Sequence, residues 1–277
     1  MKSAPIPLLF RRADLLKAQN PGYTRKDGTY VRPFNDRRAP AKVKHTKWTA
    51  LALAAQQPLA PPAGAVPHPK LDENGKPKMI HRPTSPTSES TWTSAADTAV
   101  FTPGCAVPEV LNGVAITPWT DAPTGDDWDF VDGQNDDLIE QPIKLSGGKK
   151  AGAGVIIQEP DGRVWLVSPT NQYGSVMHTF PKGGVEEGLS YQASAIKEAY
   201  EESGLKVQID AVALDVERST SVARYYFAHR VGGSPADMGW ESQAVRLVPL
   251  PQLVDYLNRP EDREIMQFLQ NSGRKSL

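Results

Sequence analysis

Glu198, Glu201 and Glu202 stand three and four residues apart inside Ala195-Ile196-Lys197-Glu198-Ala199-Tyr200-Glu201-Glu202. On a helix these spacings bring the three side chains onto one face, where like charges cost roughly a few tenths of a kcal/mol per pair. A cation reverses the sign of that interaction. Clustered hard oxygen ligands suit Mg²⁺ or Mn²⁺, with water and a substrate phosphate completing the shell. The same spacing is also that of a solvated acidic face. The preceding stretch, Phe180-Pro181-Lys182-Gly183-Gly184-Val185-Glu186-Glu187-Gly188, argues for the cation. Its glycines allow close backbone approach to a ligand and can offer a carbonyl to a metal. Lys182 puts a positive charge where a phosphate would sit.

These groups need a helix to hold them. Ser190 offers an N-cap oxygen and Gly204 a left-handed stop, which bracket about four turns. At ~100° per residue, Ala193, Ile196 and Tyr200 gather on one side and the three glutamates on the other. Val155-Ile156-Ile157 and Val164-Trp165-Leu166-Val167 flank a turn signal, Glu159-Pro160-Asp161-Gly162. Residues 222–231 alternate, with Arg224, Tyr226, Ala228 and Arg230 on one face and Tyr225, Phe227, His229 and Val231 on the other. Two further helices are predicted, from Pro251 to Leu257 and from Glu261 to Leu269. Strands and helices in this order give an α/β or α+β sandwich.

Residues 183–205 resemble the box of the Nudix hydrolases. Its pattern is Gly, five residues, Glu, seven residues, Arg-Glu, an aliphatic, one residue, Glu-Glu, one residue, Gly and an aliphatic. Gly183, Glu198, Glu201, Glu202, Gly204 and Leu205 match in place. Leu189 stands for the first Glu, Lys197 for the Arg and Ala199 for the larger aliphatic. Glu186 or Glu187 can compensate for the missing Glu. Lys197 keeps the charge but lacks the planar fork that grips a carboxylate bidentately, so weakened activity is expected. The resemblance spans residues 105–277 and implies a Nudix-like α/β/α sandwich with a mixed sheet. It also implies Mg²⁺- or Mn²⁺-dependent cleavage of a diphosphate linkage in a nucleoside-diphosphate derivative. By position Glu198 and Glu202 are the main metal ligands, and Glu201 is a further ligand or the carboxylate that polarises the water. Glu241, from the downstream loop, is the candidate base.

Pro181-Lys182-Gly183 resembles the members that act on dinucleoside polyphosphates or diphosphorylated inositols, and the first of these is the favoured substrate. ADP-ribose and nucleotide sugars are the alternatives. Lys182, Gly183, Arg224 and Tyr226 are the candidate substrate contacts, with Arg218 and Arg230 adding charge nearby. Two other readings stand beside this one. A catalytically silent nucleotide-binding domain would use the same pocket, and a nucleic-acid-binding protein would work through a basic N-terminal arm.

That arm holds 12 Lys/Arg against three acids in residues 1–50, although the whole chain of 277 residues has a net charge of only -1. Such a balance excludes a surface that is basic throughout. Residues 1–57 read as an extended or disordered arm with a small hairpin at Tyr23–Val31, turned by Asp27-Gly28. Eighteen of the 25 prolines lie before residue 151, and residues 58–104 read as a Pro-rich linker. Residues 105–277 then form the folded domain. Within it, Asp121–Glu140 carries eight acids and no Lys or Arg, interleaved with Trp128, Phe130, Val131, Leu138 and Ile139. It reads as an acidic segment docked on that domain, which the basic arm could also meet. A single cysteine, Cys105, excludes an internal disulfide, and five histidines lack ligand spacing, so zinc and thiol catalysis are rejected. With no apolar run approaching ~18 residues, a cytoplasmic protein without membrane contact is expected.

Overall fold

A computed structural model describes residues 23–24, 30–31, 64–172, 176–257 and 259–273. Two compact units divide the chain at Leu59/Ala60. In the first, strands β1 (Tyr23–Thr24) and β2 (Tyr30–Val31) pair antiparallel, Tyr23 opposite Val31, as the hairpin reading requires. Their connecting residues, and the rest of the expected extended arm, lie outside the described residues.

The second unit begins well before residue 105. It contains strands β3 (Val66–Pro67) and β4 (Met79–Ile80), the short helix α1 (Ser90–Thr93), and strands β5 (Ala99–Phe101), β6 (Val110–Leu111) and β7 (Val114–Ala115). Strands β8 (Lys150–Ile157), β9 (Arg163–Pro169) and β10 (Lys182–Gly184) follow, then helix α2 (Tyr191–Ser203). The chain ends with β11 (Leu205–Glu217), β12 (Ser221–Gly233), β13 (Ser242–Pro249), α3 (Leu253–Tyr256) and α4 (Pro260–Gly273). The expectation of a linker over 58–104 is therefore corrected for residues 64–104. β5 is a full member of a sheet, pairing with β13 through Val245 and Phe101. Prolines here sit between short paired segments or, as Pro67 does, in a two-stranded pair, where they interrupt no central ladder.

Two sheets result. One is mixed, in the order β10-β8-β12-β11, with β8 and β12 parallel and the other pairs antiparallel. The other is antiparallel, in the order β5-β13-β9. The turn Glu159–Gly162 does not close a hairpin within one sheet, because β8 and β9 part after a single bridge at Gln158 and Val164. Alternation along β12 sends Tyr226 and Ala228 into one apolar layer, with α2, and Tyr225 into the other, with Ile265 and Leu269 of α4. The fold is thus the mixed-sheet, helix-covered sandwich that the sequence predicts. Among the described residues no helix is long and apolar enough to cross a membrane.

Three buried arginines fasten the early segments to this frame. Arg163 donates to the carbonyls of Thr91, Trp92 and Asp97, closing the end of α1. Arg230 pairs with Glu159 at 2.7 Å and donates to the carbonyls of Leu111 and Ala115. Arg224 holds Asp215 with two hydrogen bonds and reaches Glu140 at 3.1 Å and the Gln141 carbonyl at 2.7 Å. In the acidic segment Trp128 and Val131 are buried, and Trp128 lies beside Tyr200 of α2. Phe130 and Ile139, read as part of the docking face, are exposed instead.

Candidate active site

Helix α2 begins where Ser190 accepts the Ala193 N–H at 3.0 Å and ends at Gly204, whose φ of 73° is the left-handed conformation of a C-terminal stop. Ala193, Ala195, Ile196 and Ala199 are buried against the sheet layer. Glu198 and Glu202 are one turn apart, and neither is on a solvated face. Glu202 is buried and accepts the Lys182 N–H at 2.8 Å. The Glu198 carboxylate lies directly against Gly183, where a Cβ would overlap it. The box glycine is therefore there because a side chain has no room.

Burial, followed by the charges of Glu202, Glu201 and Glu241, pushes Glu198 up to about 8. Burial also pushes Glu202 up to about 7, although Lys182 opposes this with its charge and its backbone N–H. Glu241 is raised too, by burial first and then by Glu201 and Glu73. Glu241 thus enters the same field as the helix carboxylates, as its candidacy requires. Glu201 is more exposed and is held by Lys197 at 3.0 Å, while Lys197 also binds Glu186 at 2.5 Å. The lysine that replaces the family's arginine therefore bridges two acids, and Glu186, the proposed substitute for the missing Glu, is committed to it. Leu189, at the position of that missing Glu, packs against the apolar layer.

Among the described residues no three His, Cys, Asp or Glu side chains are grouped closely enough to hold an ion as they stand. The donor set nevertheless fits a hard divalent cation. It is made of carboxylates whose charges destabilise one another, one of them cradled on a glycine that leaves the space open.

Two adjoining cavities meet here. One, of about 650 Å³, is lined by Lys182, Gly183, Glu198, Glu201 and Glu241. The other, of about 620 Å³, shares Lys182 and Glu241 and adds Glu202, Arg218, Arg259 and Lys78. Lys182, Gly183 and Arg218, all named from the sequence, line these cavities. Arg224 and Tyr226 do not. Arg224 is occupied by Asp215 and Glu140, and the Tyr226 hydroxyl donates to Glu140 at 2.6 Å, so both serve the docked acidic segment. Arg230 is likewise spent on Glu159. Lys78, Arg259 and Trp240 also line this cavity, although no motif in the sequence singles them out. The nearest signal, for the first, was Asn74-Gly75, since that dipeptide marks a tight turn between paired strands.

Residues 148–269 match the family described as NUDIX domain. This segment is a Nudix domain. It is similar to the RNA pyrophosphohydrolase of Caulobacter vibrioides (strain NA1000 / CB15N), 35% identical over 91 residues that make up 32% of this chain and 50% of that protein. The chain therefore spans half the length of the curated relatives it matches. Among solved structures, a Nudix hydrolase from Nitrosomonas europaea aligns with a TM-score of 0.39 and 19% identity, over 47% of this chain and 75% of that one. A C. elegans Ap4A hydrolase complex aligns with a TM-score of 0.37 and 20% identity, over 45% and 96% of the two chains.

Proposed function

We propose that the Nudix domain hydrolyses a diphosphate linkage in a nucleoside polyphosphate, with a dinucleoside polyphosphate as the leading substrate. One observation supports the reading: Glu198 and Glu202 converge on Lys182 and Gly183 of β10, beside a cavity that four cations, Lys78, Lys182, Arg218 and Arg259, share with Glu202 and Glu241. Glu198 and Glu202 would hold Mg²⁺ or Mn²⁺, which when bound would neutralise diphosphate charge and acidify a water. Glu201 is a further ligand or polarises that water. The Lys182 ammonium binds a phosphate oxygen, and Gly183 lets the backbone approach it. Glu241 accepts the proton released as water attacks phosphorus, and its raised proton affinity favours that role.

A second reading has support in the Caulobacter relative, which is named for RNA as its substrate. A 5′-polyphosphorylated RNA end offers the same run of linked phosphates on a nucleoside. The test is hydrolysis by the full chain with Mg²⁺ or Mn²⁺ of dinucleoside polyphosphates, 5′-triphosphorylated RNA, ADP-ribose and nucleotide sugars. Turnover of the first group is expected, with Glu202→Gln lowering kcat by roughly a hundredfold or more, as loss of a ligand exceeds that of its supporting contacts. Preference for RNA would establish the second reading. Tight nucleotide binding without turnover would replace both with a silent binding domain.

A further inference from the structure

One wall of the basic cavity comes from outside the Nudix domain. The hairpin β3–β4 precedes that domain by about 70 residues yet brings Lys78 to the cavity shared with Lys182, Glu202 and Glu241. The hairpin is firmly placed. His68 Nε2 donates to the Ser242 carbonyl at 3.0 Å, which leaves Nδ1 to accept the Lys70 N–H at 3.0 Å. The Lys70 ammonium donates to the Asp237 carbonyl, and Gln243 accepts the Thr84 N–H at 3.1 Å. Asp72 closes the turn by accepting from the N–H groups of Asn74 and Lys76.

On this support Lys78 sits between two partners. Its ammonium is 3.1 Å from the Asp72 carboxylate and 4.7 Å from the centre of the Trp240 ring. Arg218 and Arg259 line the same cavity, with Asp262 3.6 Å from the first and Glu261 3.4 Å from the second. Arg218 is itself fixed by the Tyr225 hydroxyl at 2.9 Å. Three cations on separate elements, together with Lys182, surround a space that contains far fewer acids than the carboxylate cleft beside it. A diphosphate alone needs only the charges at the box. A longer phosphate chain must place its outer phosphates beyond Lys182, and this cavity is the cationic space there.

We propose that the hairpin β3–β4 is a specificity element, and that Lys78 binds a phosphate of a nucleoside polyphosphate beyond the diphosphate being cleaved. The assignment rests on the hydrolase reading above and extends it to the number of phosphates. Trp240 holds the Lys78 ammonium in place.

The experiment compares the full chain with Lys78→Ala and Lys78→Arg. It uses diadenosine tetraphosphate and ADP-ribose as substrates, and calorimetric binding of a methylene-bridged diadenosine tetraphosphate. In Lys78→Ala, kcat/KM for the tetraphosphate is expected to fall about tenfold through KM, as for loss of a charged hydrogen bond, against about twofold for ADP-ribose. Analogue binding should weaken by the same factor, and Lys78→Arg should restore both. If the tetraphosphate is hydrolysed and Lys78→Ala changes neither KM nor binding, the hairpin assignment is overturned while the hydrolase reading stands. If nothing is hydrolysed but the analogue binds tenfold more weakly to Lys78→Ala, the hairpin assignment stands and the hydrolase reading falls. Absence of both turnover and binding in the unaltered chain overturns the two together.

Discussion

A methyl group at position 183 would land on the Glu198 carboxylate, while one at Gly184 would meet nothing within 4 Å. These neighbouring glycines therefore make a matched pair of tests. Gly183→Ala must displace either strand β10 or Glu198, and a shift of about 1 Å at a reacting centre costs on the order of a hundredfold in rate. Gly184→Ala has room for its Cβ and should stay within about twofold of the unaltered protein, since unstrained surface changes cost about 0.5 kcal/mol or less. The measurement is kcat/KM at saturating Mg²⁺, with circular dichroism to confirm that both variants fold. Equal rates in the two would show that close contact at Gly183 is irrelevant to the chemistry. Lys197 belongs to this scale as well. By joining Glu186 to Glu201 it orders the exposed carboxylate of the box, so the departure from arginine relocates an ion pair without abolishing it.

The elements that carry these residues are held by arginines whose partners are far away in sequence. Arg230 and Glu159 form a pair with side chains 0% and 1% exposed, and Asn112 and Trp165 donate to the same carboxylate. Arg230→Met leaves that carboxylate buried with its counter-charge gone, which should cost about 3–5 kcal/mol. Replacing Glu159 by Leu in the same chain should recover much of the loss, because the uncompensated charge disappears with it. Urea unfolding of the single and double variants measures this, and a single variant as stable as the parent would refute it. The same arginines explain where the sequence misled. The strand alternation of residues 222–231 was legible, and so was the face shared by Arg224 and Arg230. The partners were not, because Glu140 and Leu111 come from segments about a hundred residues earlier and no local pattern encodes that distance. The box and the caps of α2 were legible because each rests on local spacing, and the mixed sandwich followed from the resemblance that the box carries. The hairpin β3–β4 was hidden because its strands are only two residues each and lie among prolines, so they carry no periodicity.

At the scale of the whole molecule, the site is a stability liability that a metal should relieve. Glu198 and Glu202 are pushed up to about 8 and about 7 from the usual 4.5, so each binds its proton more tightly in the folded state. Their contribution to stability is complete below about pH 4.5 and is lost as pH rises through the raised values, because the unfolded chain ionises first. His178 acts in the opposite direction: burial, then Arg246, lowers it from 6.5 to about 4, so its contribution is lost as pH falls through that lower range. Asp72 and Asp161 are lowered carboxylates, which also lose their contribution only in acid. A window from about pH 6.5 to 8.5 therefore separates the raised carboxylates of the site, Glu198 and Glu202 with Glu241 beside them, from these acid-range groups. With a chelator present, the melting temperature should decline across that window, and the net charge of -1 provides little general repulsion to imitate the trend. Mg²⁺ should raise the melting temperature more at the alkaline end, where fewer protons have to be displaced from its ligands. Glu198→Gln should flatten the decline, since an amide does not ionise. A melting temperature constant across the window, or a Mg²⁺ effect equal at both ends, would mean that these two carboxylates neither strain the fold nor hold the metal.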